Sequence, residues 1–255
     1  RRAVVDQLDH HALAGLCFHH QCHDMHKDNR RRGGAAMRQE TPCLQGVPSQ
    51  PAMAPHTGHI HPVSHRLLQR TDKEALLGQR GCVVWMTGLS GSGKSTIAIA
   101  LERMLHEAGR YTVVLDGDNV RAGINSNLGF SDADRTENIR RIAEVAKLFL
   151  QNGAVVVCCF VSPTMAIREQ ARMIIGPADF IEVFVDTPVE ECERRDVKGL
   201  SAKARAGELK DFTGISAPFE APPLPAVRLH TLGRSADDAA DELMNRLLAR
   251  TKLHA

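Results

Sequence analysis

The sequence has few aromatic residues and no excess of charge of one sign. Phe, Trp and Tyr make up 4% of its 255 residues, and 32 Lys and Arg against 30 Asp and Glu leave a formal net charge of +2. A near-neutral chain argues against bulk binding to nucleic acid, whose phosphates attract an excess of cations. Long apolar runs are also lacking, since the strongest, residues 154–161, is too short to cross a bilayer. We therefore predict neither a nucleic-acid partner nor a membrane partner.

Signals for export and for a disulfide framework are lacking too. The N-terminal residues contain no apolar stretch of the signal-peptide type. Of the seven cysteines, Cys82, Cys158 and Cys159 lie inside apolar runs, where reduced core residues are expected. These features predict a soluble, cytoplasmic protein.

The first 56 residues differ in composition from the rest and show little hydrophobic periodicity. Ten of the 13 histidines lie at or before His65. We predict a disordered extension over residues 1–56 and one domain over residues 57–255. The Cys and His residues at 17–26 could capture zinc, but their spacing matches no closed finger pattern, so a specific metal site is the less favoured interpretation.

A glycine-rich loop stands between a strand pattern and a helix pattern. Residues 88–95 read Gly-Leu-Ser-Gly-Ser-Gly-Lys-Ser, after an apolar run at 82–87 and before helical spacing at 96–107. Such a loop points its N–H groups inward, and the helix adds its positive dipole end, so a polyphosphate is the expected guest. Lys94 should span the terminal phosphates, and the Ser95 hydroxyl should ligate Mg²⁺. The predicted nucleotide-binding residues are Gly88, Leu89, Ser90, Gly91, Ser92, Gly93, Lys94, Ser95 and Thr96.

From residue 81 onward, strand and helix patterns alternate. Strands are predicted at residues 82–87, 111–116, 154–161, 180–186 and, more weakly, 227–230. Ser131 and Asp134 predict the start of a helix through a capping box with Asp in place of Glu, and a final helix is predicted at 235–248. The pattern predicts an α/β fold: a P-loop NTPase-type parallel sheet with helices on both faces.

Two carboxylates, Asp116 and Asp118, follow the second predicted strand. We expect this strand to adjoin the P-loop strand, and ligands of parallel sheets bind outside the carboxyl ends of strands. One acid could then serve Mg²⁺ through water, while the other accepts a proton from a substrate hydroxyl. The alternative is a solvated Asp-Gly-Asp-Asn turn, which the P-loop nearby makes less favoured.

Ten blocks of sequence occur in one unbroken order within roughly residues 59–248. They are residues 88–96, 116–121, 128–131, 135, 137–141, 160–163, 184–187, 195–200, 203–208 and 212–215. In these blocks the chain resembles the adenylyl-sulfate kinases (APS kinases). The resemblance implies phosphorylation of the 3′-hydroxyl of adenosine 5′-phosphosulfate (APS) to give PAPS in sulfate assimilation, with ATP and Mg²⁺ as cofactors. It also implies a homodimer and an association with ATP sulfurylase.

The resemblance implies roles for individual residues. The catalytic set would be Lys94, Asp116, Asp118 and Lys198, and the metal set Ser95 and Asp116. The APS-binding set would be Asp118, Arg121, Phe130, Arg135, Asn138, Val161, Ser162, Lys198, Phe212 and Thr213. Arg121 and Arg135 would pair with the phosphosulfate, while Phe130 and Phe212 would sandwich the adenine. Which of the two aspartates is the base stays open.

Residues 195–208 are basic and punctuated by glycine, which suits a lid from which Lys198 reaches the phosphates. Ser201, Ser216 and Phe219 stand where the family often has Tyr, Asp and Tyr. These departures are expected to loosen the lid or change APS affinity without removing a proposed catalytic group.

Two other functions stay open. A different small-molecule P-loop kinase would explain Lys94 and the lid, but not the two arginines and two phenylalanines of the APS-binding set. A nucleotide-binding module without turnover is the second alternative. A GTPase is disfavoured because the chain contains no Asn-Lys-x-Asp guanine signature.

Overall fold

The computed structural model describes residues 61–196 and 198–252. The predicted extension at 1–56 and the candidate zinc ligands at 17–26 lie outside the described residues. The domain boundary near residue 57 therefore stays a prediction.

The described chain alternates strands and helices, as the sequence predicts. The strands are β1 (Cys82–Thr87), β2 (Thr112–Asp116), β3 (Val155–Cys159), β4 (Phe180–Asp186) and β5 (Val227–His230). The helices are α1 (Arg70–Leu77), α2 (Lys94–Glu107), α3 (Gly117–Ala122), α4 (Asp132–Leu150), α5 (Met165–Ile175), α6 (Val189–Arg195), α7 (Leu200–Arg205) and α8 (Ala236–Thr251). Three strands have the predicted bounds, whereas β2 begins one residue later and β3 is shorter at both ends. The α/β prediction is confirmed.

The five strands form one parallel sheet in the order β2-β3-β1-β4-β5. The expectation that β2 adjoins the P-loop strand is therefore wrong, because β3 lies between β2 and β1. The crossover through α2 leaves one strand position free, and β3 fills it. Asp116 is paired with Cys159 of β3, so β3 separates its backbone from the P-loop strand.

The core consists of two layers, one on each face of the sheet. Successive residues of β1 point to opposite faces, so that Val84 and Met86 pack with α2 and α8 while Val83 and Trp85 pack with α4 and α5. All of β1 is buried, as expected for the central strand of a sheet covered on both faces. The P-loop therefore begins at the end of the most enclosed part of the domain.

Side-chain caps fix the starts of two helices at the site. Ser131 caps α4 by accepting from the Asp134 N–H, but the Asp134 carboxylate accepts from the Ser131 hydroxyl instead of the backbone N–H that a capping box uses. Only half of the predicted capping box is formed. At α8, Ser235 and Asp238 form the complete reciprocal pair.

The cysteines that the structure describes agree with the sequence prediction. Cys82, Cys158, Cys159 and Cys192 are buried and free, as expected for reduced core residues. No helix within residues 61–196 and 198–252 has the length and apolar character needed to cross a membrane.

Candidate active site

A cavity of about 950 Å³ opens at the carboxyl edge of the sheet. Of the twenty residues predicted for the site, all but Gly88 and Leu89 line it. The cavity joins the P-loop and α2 at one end to the loops that carry Phe130 and Phe212 at the other. Residues more than a hundred positions apart in the sequence thus line the same cavity.

The P-loop is held in a conformation that only glycine permits. Gly91 has φ +80°, and a Cβ there would lie 2.7 Å from the backbone oxygen of Cys192 in α6. Gly93, at φ +100°, precedes the first residue of α2. The loop therefore leads directly into a helix N-terminus, the arrangement that binds phosphate.

Lys94 is folded back onto the loop. Its Nζ donates to the backbone oxygens of Gly88 (2.9 Å) and Leu89 (2.7 Å) and to Ser92 Oγ (3.3 Å). Lys94 is only 8% exposed, and burial lowers its pKa to about 8. An anion entering the loop would favour the charged ammonium.

Ser95, at the start of α2, meets Asp116, at the end of β2, although β3 separates β2 from the P-loop strand. Ser95 Oγ donates to Asp116 Oδ2 at 2.6 Å. The other carboxylate oxygen caps α3 by accepting from the Asp118 N–H at 3.0 Å. The Asp116 side chain therefore caps a helix, α3, whose first residue is Gly117. A hydroxyl and a carboxylate are both hard oxygen donors, so the pair fits Mg²⁺.

Asp118 forms an ion pair with Lys198 from the predicted lid. Both side chains are more than half exposed, so the pair adds little to stability. The bond is informative for another reason, because it brings the lid lysine to the acid that follows β2. The structure therefore places two predicted catalytic residues in contact across 80 positions of sequence.

Two arginines face the far end of the cavity. The Arg121 guanidinium lies 4.4 Å from the ring centroid of Phe130 and donates to the oxygen of Gly129 at 2.9 Å. Burial and, next, the charge of Arg135 lower the pKa of Arg121. Two neighbouring cations in a partly enclosed space favour an anionic guest.

Arg135 also connects the two loops of this end. It donates to the oxygen of Phe130 (2.8 Å), to the oxygen of Asp211 (2.7 Å) and to Thr213 Oγ1 (3.1 Å). Phe130 is 65% exposed and Phe212 is half-buried, and both rings line the cavity. Arg135 thus holds in place the loops that present the two aromatic rings.

Asn138 and Ser162 lie deeper in the wall. Asn138 is buried, and its Oδ1 accepts from Asn125 Nδ2 at 2.9 Å, which ties α4 to the segment before Phe130. Ser162 is 2% exposed and adopts φ +42°. Its hydroxyl accepts from Trp85 Nε1 at 3.1 Å.

The structure adds cavity residues that the sequence analysis did not assign to the site. Among them are Arg194, Arg195, Thr231, Gly233, Arg234 and Ser235. Arg195 donates to the backbone oxygens of Ser92 and Thr231, both at 3.3 Å, and so joins the P-loop to the end of β5. The only sequence feature that could have assigned Arg234 to the site is its positive charge shortly after the weakly predicted strand at 227–230.

The residues that depart from the resembled family are accommodated in the structure. Ser216 Oγ accepts from the Phe212 N–H at 2.8 Å, and the Phe219 ring stacks on Phe184 with 5.8 Å between centroids. Ser201 is buried on α7. The expectation that these residues loosen the lid finds no support in the packing of these three residues.

Comparisons with known proteins agree on one family. The sequence model described as adenylylsulphate kinase matches residues 80–230, more than half of the chain. An adenylyl-sulfate kinase of Bacteroides fragilis is 59% identical over 196 residues, which are 77% of this chain and 97% of that protein. The bifunctional enzyme NodQ of Azospirillum brasilense is 55% identical over 69% of this chain but only 28% of its own length. The Mycobacterium tuberculosis APS kinase CysC, solved in complex with AMPPNP and APS, is 51% identical with a TM-score of 0.64, covering 66% of this chain and 98% of its own.

Proposed function

Because the chain belongs to the adenylylsulphate kinase family, we propose that it transfers the γ-phosphoryl group of ATP to the 3′-hydroxyl of APS, giving PAPS and ADP. The observation that carries this proposal is one cavity that is lined by the P-loop, by Asp118 and by the aromatic wall. We use aromatic wall for Phe130 and Phe212 together with Arg121 and Arg135. Each of these parts alone is compatible with other kinases. Their order along one cavity matches a donor nucleotide, a reacting hydroxyl and an adenylyl acceptor.

The P-loop end would bind the phosphates of ATP. Residues 90–96 line the cavity around the N-terminus of α2, where the helix dipole favours negative charge. Lys94 Nζ would exchange its bonds to the loop oxygens for bonds to the terminal phosphates. Its burial strengthens that attraction because little water screens it.

Mg²⁺ would be held by Ser95 and Asp116, whose oxygens already lie 2.6 Å apart. When bound, the ion neutralises charge that develops on the phosphates. Asp116 also caps α3, so the residue that would hold the ion also positions Asp118.

Asp118 is our candidate for the general base. It stands on the first turn of α3 between the P-loop and the aromatic wall, and its carboxylate would accept the proton of the 3′-hydroxyl during in-line transfer. Lys198, now paired with Asp118, would turn to the phosphates when the lid closes over ATP. That movement would also free the carboxylate to accept a proton.

The far end would bind APS. Phe130 and Phe212 would stack on the adenine, and Arg121 with Arg135 would pair with the phosphosulfate, since planar guanidinium groups bind tetrahedral oxyanions through two hydrogen bonds. Val161, Ser162, Asn138 and Thr213 would complete the wall behind the ribose.

The function is tested by incubating the protein with Mg-ATP and APS, and separately with AMP or a simple sugar, while ADP and PAPS are measured. We expect ADP and PAPS in equal amounts with APS and little ADP otherwise. ADP release with a sugar instead of APS would identify a different small-molecule kinase. Binding of ATP without ADP release from any acceptor would identify a nucleotide-binding module without turnover.

We also propose that the protein is a homodimer that associates with an ATP sulfurylase. The support is the family membership and the similarity to a bifunctional enzyme. Light scattering of the purified chain at micromolar concentration should give twice the mass of 27.9 kDa. A monomer under those conditions would contradict the dimer.

A further inference from the structure

The wall beside the proposed APS position contains a residue in an unfavourable backbone conformation. Ser162 has φ +42°, in the left-handed region that residues other than glycine rarely occupy because the Cβ is crowded there. Its hydroxyl accepts from Trp85 Nε1 at 3.1 Å, and the oxygen of the preceding residue, Val161, accepts from Thr87 Oγ1 at 2.7 Å. Neighbouring groups must therefore hold Ser162 in place.

Arg168 supplies the strongest of these restraints. This arginine of α5 is 3% exposed, and its Nη1 donates to the Ser162 oxygen at 2.8 Å. The other arm, Nη2, donates to the oxygen of Glu220 at 2.7 Å, and Nε donates to Glu182 Oε1 at 2.9 Å. A single buried guanidinium thus ties the loop after β3 to strand β4 and to the segment at residue 220.

The segment at residue 220 follows closely in the chain after the loop that carries Phe212. Glu220 also accepts from the Met165 N–H at 2.6 Å and donates its own N–H to the Pro163 oxygen at 2.8 Å. It follows the turn closed by the bridge between Thr213 and Ala217, next to Phe212. Two walls of the cavity, residues 161–163 and residues 212–213, are therefore connected through Arg168 and Glu220.

We propose that Arg168 is a positioning residue for APS. It fixes the distance between residues 161–163 and residues 212–213 of the cavity without touching the substrate itself. Arg168 does not line the cavity, whereas Ser162, Phe212 and Thr213 do. Its planar fork reaches acceptors in three directions, which the compact ammonium of lysine cannot do. This proposal rests on the proposed function for the identity of the ligand.

Two variants test it, Arg168→Lys and Arg168→Met, with Arg172→Met as the matched control. Arg172 lies on the same helix but is partly exposed and pairs only with its neighbour Glu169 among the described contacts. APS affinity is measured by calorimetry and the KM values for APS and ATP by PAPS formation. We expect both Arg168 variants to lower APS affinity and kcat/KM for APS by on the order of 10–100-fold, with the KM for ATP unchanged.

Trp85 gives an independent readout, because it is the only tryptophan of the chain and contacts Ser162 directly. APS should change its fluorescence in the wild type and in Arg172→Met, and less so in Arg168→Lys. If Arg168→Met does not fold, Arg168→Lys, which keeps the charge beside Glu182, decides the matter. Wild-type affinity for APS in Arg168→Lys, or an equal rise of both KM values, would overturn the proposal. A wild-type protein that binds APS but forms no PAPS would instead contradict the proposed function.

Discussion

The ionisation of Lys94 should affect nucleotide binding. Burial lowers its pKa from 10.5 to about 8, so the free protein loses this charge as the pH rises through about 8. The affinity for ATP should therefore fall above this pH, as measured by calorimetry. Lys94→Met should bind ATP more weakly and show a smaller pH dependence. Lys73→Met, on α1, is the control and should behave as the wild type.

The lowered pKa of Lys94 also affects stability. As the pH rises, this contribution to stability increases, whereas the affinity for ATP falls. The unfolded lysine titrates near 10.5, so between about 8 and 10.5 the unfolded state binds more protons than the folded state. In this window the contribution of Lys94 to the free energy of unfolding increases with pH. The difference in unfolding free energy between wild type and Lys94→Met should therefore grow in favour of the wild type. A constant difference would show that Lys94 is not buried as described.

Asp116 and Asp118 differ in the contacts that they make. Asp116 is bonded to Ser95 and caps α3, whereas Asp118 extends from the helix toward Lys198. Asp118→Asn should lower kcat by roughly 10²–10⁴-fold because the amide cannot accept the substrate proton. The KM for ATP should change little. Asp132→Asn, an exposed acid at the start of α4, is the control; near-normal turnover in Asp118→Asn would move the base to Asp116 or to water.

The helix starts are the elements whose stability depends on single side chains. In α8, Ser235 Oγ accepts from the Asp238 N–H at 3.1 Å, and Asp238 accepts in return from the Ser235 backbone. Ser235→Ala should lower the free energy of unfolding by about 1 kcal/mol, measured in urea. Ser235→Asn retains a capping oxygen and should stay within a few tenths of the wild type. Equal losses in the two variants would mean that the cap is not the cause.

The whole core responds to alkaline pH through its thiols. Burial raises the pKa of Cys82 and Cys159 to about 12 and raises that of Cys158 as well, from a usual value of 9.0. The stabilisation is fully present below about 9 and is lost as the pH rises toward 12, because the unfolded thiols ionise first. Burial raises the pKa of Cys192 as well, so four thiols act against the single opposite contribution of Lys94.

We therefore expect the free energy of unfolding to fall above about pH 9, by at most ~1.4 kcal/mol per pH unit for each thiol. Urea titrations at several alkaline pH values measure this slope, and Cys158→Ala should reduce it. A slope that is the same in Cys158→Ala and in the wild type would contradict the assignment.

Local sequence determined the elements and the nucleotide end of the site. Glycine at residues 88, 91 and 93, an apolar run before them and helical spacing after them specify a strand, a phosphate loop and a helix from neighbouring residues alone. The alternation of strands and helices likewise fixed the α/β class. These features depend on contacts within about one turn or one strand, and such contacts are encoded in adjacent positions.

Only the tertiary structure decided which strands adjoin and which distant side chains meet. The sequence suggested that β2 lies beside β1, yet β3 takes that position because the crossover through α2 leaves it free. The pairing of Asp118 with Lys198, the position of Arg234 in the cavity, and the contacts of Arg168 join residues that no local pattern relates. Packing of helices on both faces of the sheet brings these residues to one edge, and that packing depends on the whole core at once.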